Sequence, residues 1–295
     1  MRQGKGDSLK SETAKLLRKY EVVTRKRFGQ NFLVDGNVLK AILDAADLSM
    51  DDFVLEIGPG LGIMTKFLSE QAGFVTTVEI DRDLIPILKE TLLGLNNVEI
   101  INEDILKVDL SELCRAKSLD KMKIVANLPY YITTPIIMNI LESKATVDTM
   151  TFMVQKEVGD RMAAVPGSKA YGSLSLSVQY RAEAIRVCTV PPSSFMPPPA
   201  VTSEVIQLRC FDKPKVTVKD EKLLFRIIKA AFGERRKTLI NALGNSGIKG
   251  LSKDNALRML ERIGKSSFVR AEELSLTEFA ALSDMAADMG DGDFE

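Results

Sequence analysis

Between residues 53 and 154, short β-branched runs alternate with segments of helical period, and this alternation leaves few architectures open to the chain. Residues 53–57, 74–80, 98–101, 123–126 and 150–154 read as strands. Between them, residues 62–71, 81–93 and 135–141 read as helices, the second with Leu84, Ile85, Leu88 and Leu92 on one face. Such alternation predicts a mostly parallel sheet with helices on both sides, because the crossovers between parallel strands are right-handed and helical. Residues 184–190 and 203–210 add two strands around the proline-rich 191–199, expected as an antiparallel hairpin that closes a seven-stranded sheet. After Lys213-Pro214 only helices are predicted: 221–232, with Leu224, Phe225, Ile228 and Phe232 on one face, then 237–243, 253–263 and 276–285. The expected organisation is therefore a basic N-terminal extension over 1–26, an α/β domain over 27–212 and a small all-helical C-terminal domain over 213–295.

Composition narrows the chemistry. No run of eighteen apolar residues occurs and the first thirty positions are studded with charge, so neither a membrane span nor a secretory signal is supported, and a cytoplasmic monomer is expected. Cys114, Cys188 and Cys210 form no CxxC pair and read as small buried hydrophobes. The chain has no histidine, which removes the commonest general base and the commonest metal ligand, and no metal is expected. Chemistry must run on amides, carboxylates, backbone groups and aromatic faces.

The 40 basic and 40 acidic residues cancel, which taken alone argues against a nucleic-acid partner. Their distribution is uneven. Residues 1–27 hold nine Lys/Arg against three acids, residues 222–237 hold six against Glu234, and residues 284–295 hold five acids and no base. Solvated faces with an acidic tail and an electrostatic footprint for RNA both fit this pattern.

Glu56-Ile57-Gly58-Pro59-Gly60-Leu61-Gly62 follows the first strand and opens a helix that carries Thr65, the place where glycine lets a backbone approach a nucleotide closely. Dinucleotide enzymes use a related spacing, and a tight turn also explains it. Glu79, in Val78-Glu79-Ile80-Asp81 after the second strand, is placed to accept both hydroxyls of an adenosine ribose, which does not by itself choose the cofactor. Asp104, after the third strand, is placed to accept from an adenine amine. Each acid alone is ordinary; the ordered set Gly58, Glu79, Asp104 at three successive strand ends is not.

Asn127-Leu128-Pro129-Tyr130 comes directly after the fourth strand, at the mouth of the expected sheet. An exocyclic aromatic amine is a poor nucleophile because its lone pair is delocalised into the ring. The Asn127 amide oxygen and the Leu128 carbonyl can accept its two N–H groups and favour a tetrahedral nitrogen whose lone pair points at a sulfonium methyl. Tyr130 can stack on the base, which has to be flipped out of a helix or loop first. A sulfonium is already reactive, so orientation and electrostatics carry such a step without a histidine. Phe195, in the stiff proline-rich 191–199, either faces Tyr130 across the base or is a packed residue of a linker.

The chain resembles the small-subunit ribosomal RNA adenine dimethyltransferase family from about Arg27 to Phe279. The matching blocks are Phe28-Gly29-Gln30-Asn31-Phe32-Leu33, residues 56–65, Glu79-Ile80-Asp81, residues 127–130, Val154-Gln155-Lys156-Glu157-Val158, Tyr171-Gly172-Ser173-Leu174-Ser175, residues 195–199 and Ala231-Phe232-Gly233-Glu234-Arg235-Arg236-Lys237. Many relatives carry Asn where this chain has Tyr131, and the family admits both. The resemblance implies a class I methyltransferase fold, Rossmann-like, and S-adenosylmethionine held by Asn31, Leu33, Gly58, Glu79, Asp104 and Asn127. It implies that Asn127, Leu128 and Tyr130 present the adenine, with Phe195 as a second stacking face. The implied product is N6,N6-dimethyladenosine at two adjacent adenosines in a hairpin loop near the 3′ end of 16S rRNA, in a precursor small subunit.

In that context Arg235, Arg236 and Lys237 become the first candidates for RNA contact. Arg25, Lys26 and Arg27 are either an arm that orders on binding or a solubilising one. Three alternatives stay open: a large-subunit RNA methyltransferase of the resistance type, an assembly factor that methylates incidentally, and a nicotinamide oxidoreductase.

Overall fold

Phe53–Ile57 carries four apolar residues in five and is buried from end to end, as a strand must be when helices cover both faces of its sheet. A computed structural model of the protein describes residues 4–21, 30–117, 121–143, 145–234 and 236–291. Its strands, in chain order, are β1 (Phe32–Leu33), β2 (Phe53–Ile57), β3 (Phe74–Val78), β4 (Val98–Ile101), β5 (Met122–Asn127), β6 (Val147–Gln155), β7 (Ala182–Val190), β8 (Phe195–Met196) and β9 (Ser203–Cys210). Seven form one sheet in the order β4-β3-β2-β5-β6-β9-β7, and β1 pairs with β8 in a small antiparallel ribbon, Phe32 opposite Met196 and Leu33 opposite Phe195.

The first five sheet strands are mutually parallel and β9 runs antiparallel to β6. The sequence expectation of a mostly parallel seven-stranded sheet with late additions at one edge is therefore met. The chain order reverses at β2, whose neighbours are β3 and β5. An open α/β sheet has its ligand crevice at the carboxyl ends of the strands flanking such a switch point.

Helices α1 (Gly4–Lys19), α2 (Gly36–Ala46), α3 (Ile63–Ser69), α4 (Ile85–Thr91), α5 (Leu110–Ala116) and α6 (Thr133–Glu142) belong to the same compact unit as the sheet, which comprises residues 1–159 and 184–210. α2 begins where Asp35 accepts hydrogen bonds from the backbone N–H groups of Asn37 and Val38, and its Val38, Leu39, Ile42, Leu43 and Ala46 are buried at helical spacing. Ser194 Oγ donates to the other Asp35 oxygen at 2.9 Å, which ties the start of α2 to the chain entering β8.

The N-terminal extension, expected only as a basic stretch, contains a helix over residues 4–19. Its Leu9 and Thr13 are buried and its Leu16 and Leu17 pack on the core of this unit, with Glu12 paired to Lys66 at 2.8 Å. An apolar face of this kind is more stable packed than solvated. Arg25, Lys26 and Arg27 lie outside the described residues.

The second compact unit comprises residues 160–183 and 211–295. Its helices are the end of α7 (Lys156–Met162), then α8 (Ser173–Arg181), α9 (Glu221–Gly233), α10 (Leu239–Gly244), α11 (Lys253–Arg262) and α12 (Leu276–Asp291). Tyr171, Leu176 and Tyr180 share a buried cluster with Leu224, Ile228, Leu243, Leu260 and Phe279. The Tyr180 ring meets Phe225 edge-on at 5.2 Å, and Tyr171 meets Phe232 at 6.1 Å. The sequence reading placed 160–183 inside the 27–212 domain; by packing, that segment belongs with the helices, because its aromatic and apolar side chains complete their core. Among the described residues no helix is long and apolar enough to cross a membrane. None of the three cysteines forms a disulfide; Cys114 is buried and the other two are half-buried.

Candidate active site

Four strands of the first unit end at one cavity. Its wall includes Gly58 to Leu61 after β2, Glu79 and Ile80 after β3, Glu103 and Asp104 after β4, and Asn127 to Ile132 after β5. Residues 30–33, from the approach to β1, close another side, and Leu9 of α1 reaches it as well. The ladders run one bond beyond the strands: Gly58 N donates to Val78 O, Glu79 N to Ile101 O and Leu128 N to Met153 O, at 2.9–3.1 Å. The loop residues thus begin from fixed backbone positions.

The glycine loop has the conformation that its sequence demands. Gly58, Gly60 and Gly62 have φ of +68°, +60° and +78°, a region that L side chains rarely adopt. A Cβ on Gly60 would stand 3.0 Å from the Phe32 ring, whereas the space beside Gly58 is open. The backbone at Gly58 therefore offers a ligand direct approach.

Glu79 accepts from Gly60 N at 3.2 Å through one oxygen and from Asp81 N at 2.8 Å through the other, so the second acidic turn also braces the glycine loop. Asn102 Nδ2 donates to Glu79 O at 2.7 Å. Burial pushes the Glu79 carboxyl up to about 7 against the backbone bonds that pull it down, and the neighbouring Asp81 charge pushes the same way. Asp104 Oδ1 caps a short turn by accepting from Leu106 N at 3.0 Å, which holds its carboxylate at the cavity wall. Asn31, Leu33, Gly58, Glu79, Asp104 and Asn127, drawn from the sequence as one set, all line this cavity.

Glu56 is the second buried carboxyl on the cavity wall. It is fully buried; Thr65 Oγ1 donates to its Oε2 at 2.5 Å, and its Oε1 has no hydrogen-bond partner among the described residues. Desolvation pushes its carboxyl up to about 8, outweighing the Thr65 bond, and repulsion from Glu79 adds to the rise. A buried acceptor left unpaired against a cavity wall is costly unless a donor or a cation enters to meet it.

At the end of β5, Asn127 Nδ2 donates to the Asn31 backbone carbonyl at 3.0 Å. That bond orients the amide: with its N–H engaged there, Oδ1 is left as the acceptor for another donor. Pro129 O accepts from Ile132 N at 3.2 Å and from Thr133 Oγ1 at 2.8 Å, which locks the turn on which Tyr130 sits. The Tyr130 hydroxyl shares a hydrogen bond with Ser203 Oγ at the start of β9, and burial raises its pKa above the ordinary tyrosine value. A half-buried ring held at both ends is a fixed face for an aromatic ligand.

Of the two readings left open for Phe195, its burial fits the packed one. It is 4% exposed, belongs to the core cluster with Phe32, Val38 and Leu39, and is not part of the cavity wall. Its strand pairs with β1, Phe195 opposite Leu33, so the residue packs beside the segment that carries Asn31 and Leu33. In the second unit, Arg236 and Lys237 are exposed, and Lys237 pairs with Glu234 at 2.8 Å. Arg235 lies outside the described residues. Sequence reading also passed over Ser203, which stands 73 residues from Tyr130 and meets it only because β9 pairs with β6, and Gln30, whose Nε2 donates to Asp81 Oδ2 at 2.8 Å.

A sheet in this order, with a glycine loop and acids at successive carboxyl ends facing one cavity, defines a class I methyltransferase. Solved structures agree: a dimethyladenosine transferase from Plasmodium falciparum superposes with a TM-score of 0.73 at 28% identity, covering 85% of this chain and 95% of that one. The 23S rRNA methyltransferase ErmE gives 0.66 at 25% identity, covering 87% of this chain and all of that one. Residues 22–283 match the family model described as ribosomal RNA adenine dimethylase, and the chain belongs to that family. Its relatives include the ribosomal RNA small subunit methyltransferase A of Lachnoclostridium phytofermentans, 51% identical over 276 residues (93% of this chain, 95% of the relative). The protein of the same name from Alkaliphilus metalliredigens is 49% identical over 274 residues (92% and 95%).

Proposed function

We propose that this protein uses S-adenosylmethionine to dimethylate N6 of two adjacent adenosines in a hairpin loop near the 3′ end of 16S rRNA, acting as a monomer on a precursor small subunit in the cytoplasm. The observation that carries the chemistry is the Asn127 amide, whose N–H is held by Asn31 O and whose oxygen is thereby left to accept. The small-subunit target rests on the relatives at about half identity that bear that name, against 25% identity to the large-subunit enzyme.

The cavity suits this methyl donor on its own residues. The unpaired Glu56 oxygen suits a cationic ligand, Glu79 and Asp104 suit the ribose hydroxyls and the adenine amine, and the open side of Gly58 admits the ligand's close approach. When bound, the donor supplies an electrophilic methyl on a sulfonium sulfur. Asn127 Oδ1 and the Leu128 carbonyl accept hydrogen bonds from the two N6–H groups of the target base, and Tyr130 stacks on its ring. Held so, the N6 lone pair leaves conjugation and forms the new N–C bond as the C–S bond breaks, its electron pair going to sulfur. The extra proton on N6 leaves to water, so no histidine is required. A second round on the same nitrogen needs release of the spent donor and entry of a fresh one, and the single remaining N–H is accepted by one of the two oxygens. Arg235, Arg236 and Lys237 contact RNA phosphates in this reading, and a loop target lowers the cost of flipping because its bases are partly unstacked.

The test is transfer of labelled methyl to small subunits that lack the modification, with mass analysis of the adenosines after nuclease digestion. The proposal expects dimethyladenosine from the parent protein and a loss of at least ~100-fold in kcat with Asn127→Ala, in line with removal of a preorganised polar group. Tight binding to the particles with no transfer by the parent protein would shift the reading to an assembly factor.

A further inference from the structure

The turn after β5 carries two consecutive tyrosines in opposite circumstances. Tyr130 is half-buried and pinned by Ser203, whereas Tyr131 is 55% exposed and still forms part of the cavity wall. An exposed aromatic at the rim of a cavity, on a turn locked by the Thr133 and Ile132 bonds to Pro129 O, is a rigid face turned to whatever lies just outside. Nothing in the methyl-transfer chemistry itself requires it.

We infer that Tyr131 forms a second base subsite at the mouth of the cavity, which stacks the nucleotide next to the one being methylated. The inference rests on the reading of this cavity as an adenine-methylating site. Tyr130 and Tyr131 are consecutive and both line the cavity, so one tyrosine can hold the reacting base inside while the next holds its neighbour at the rim. Stacking is tolerant of base identity, so the subsite takes a purine or pyrimidine of a single-stranded segment, with adenine the occupant when two adenosines adjoin. The subsite binds without touching the reacting atoms, so it acts on substrate affinity and leaves the chemical step alone.

The experiment compares the parent protein with Tyr131→Ala and Tyr131→Phe on small subunits lacking the modification, recording KM for the particle, kcat, and S-adenosylmethionine affinity by calorimetry. The subsite predicts that Tyr131→Ala raises KM at least about fivefold, the low end for loss of one base stack. It also predicts kcat and cofactor affinity within twofold of the parent, with Tyr131→Phe indistinguishable from it. An active parent with Tyr131→Ala at parental KM overturns the subsite alone; so does a Tyr131→Ala whose losses fall on kcat or cofactor binding, the mark of a structural role. A parent protein that transfers no methyl to the particles removes both the subsite and the reading beneath it.

Discussion

Replacing Glu56 by Gln separates what this side chain costs the fold from what it contributes to binding. The carboxyl titrates at about 8 in the folded protein, against an ordinary 4.5, because it is wholly buried and close to Glu79. The folded pKa is raised, so the associated stability is fully present below about pH 4.5 and is lost as pH rises towards 8. Between those limits the unfolded chain ionises and the folded one stays protonated, which lowers stability by ~1.4 kcal/mol per pH unit. Gln keeps the acceptor for Thr65 Oγ1 and does not titrate. The stability gap between Glu56→Gln and the parent should therefore widen by roughly 2–3 kcal/mol in favour of the variant from pH 5 to pH 7. Glu79 titrates in the same window, but it is common to both proteins and largely cancels in the difference. Urea unfolding followed by circular dichroism at pH 5, 6 and 7 reads the gap, and calorimetry at pH 7 reads cofactor affinity. A cationic ligand should bind Glu56→Gln at least ~10-fold more weakly, since the carboxyl that would give up its proton to meet the charge has gone. A gap that stays flat over those two pH units, or unchanged cofactor affinity, would refute the reasoning.

Two further outcomes follow from placement. Phe195→Ala should cost about 3–5 kcal/mol of stability, as loss of a buried aromatic does, with its activity loss tracking the unfolded fraction in a thermal melt; a stable variant with raised KM for RNA would instead restore the stacking role. Arg236→Glu combined with Lys237→Glu should weaken RNA binding and reduce the slope of log K against log salt by about 1–2, measured by filter binding across a salt series; an unchanged slope would remove these side chains from the interface.

Much of the site could be read along the chain because it lies at strand ends, and strand ends are local features. Gly58, Glu79, Asp104 and Asn127 each follow a short apolar run, and a parallel sheet necessarily brings such positions to one edge. The glycines were legible for a similar reason: their left-handed φ is a property of the residue type. Asn31 and Leu33 could not be found this way, since no periodicity marks residues 30–33; they were named only through the family resemblance.

What the sequence alone determined, then, is the alternation that makes the sheet, the residues at its carboxyl ends and the chemistry that a chain without histidine can perform. Tertiary structure decided the rest. It put Phe195 in the core because β8 pairs with β1, a contact between residues more than 150 apart in sequence. It moved residues 160–183 into the helical unit, because Tyr171, Leu176 and Tyr180 find more apolar surface there. It folded residues 4–19 against the first unit through the buried face of Leu9 and Thr13. It also turned the Asn127 amide by giving its N–H to Asn31 O, and fixed Tyr130 through Ser203. Each of these joins segments distant in the chain, and the burial and hydrogen bonding that choose such partners come into being only when the sheet has closed.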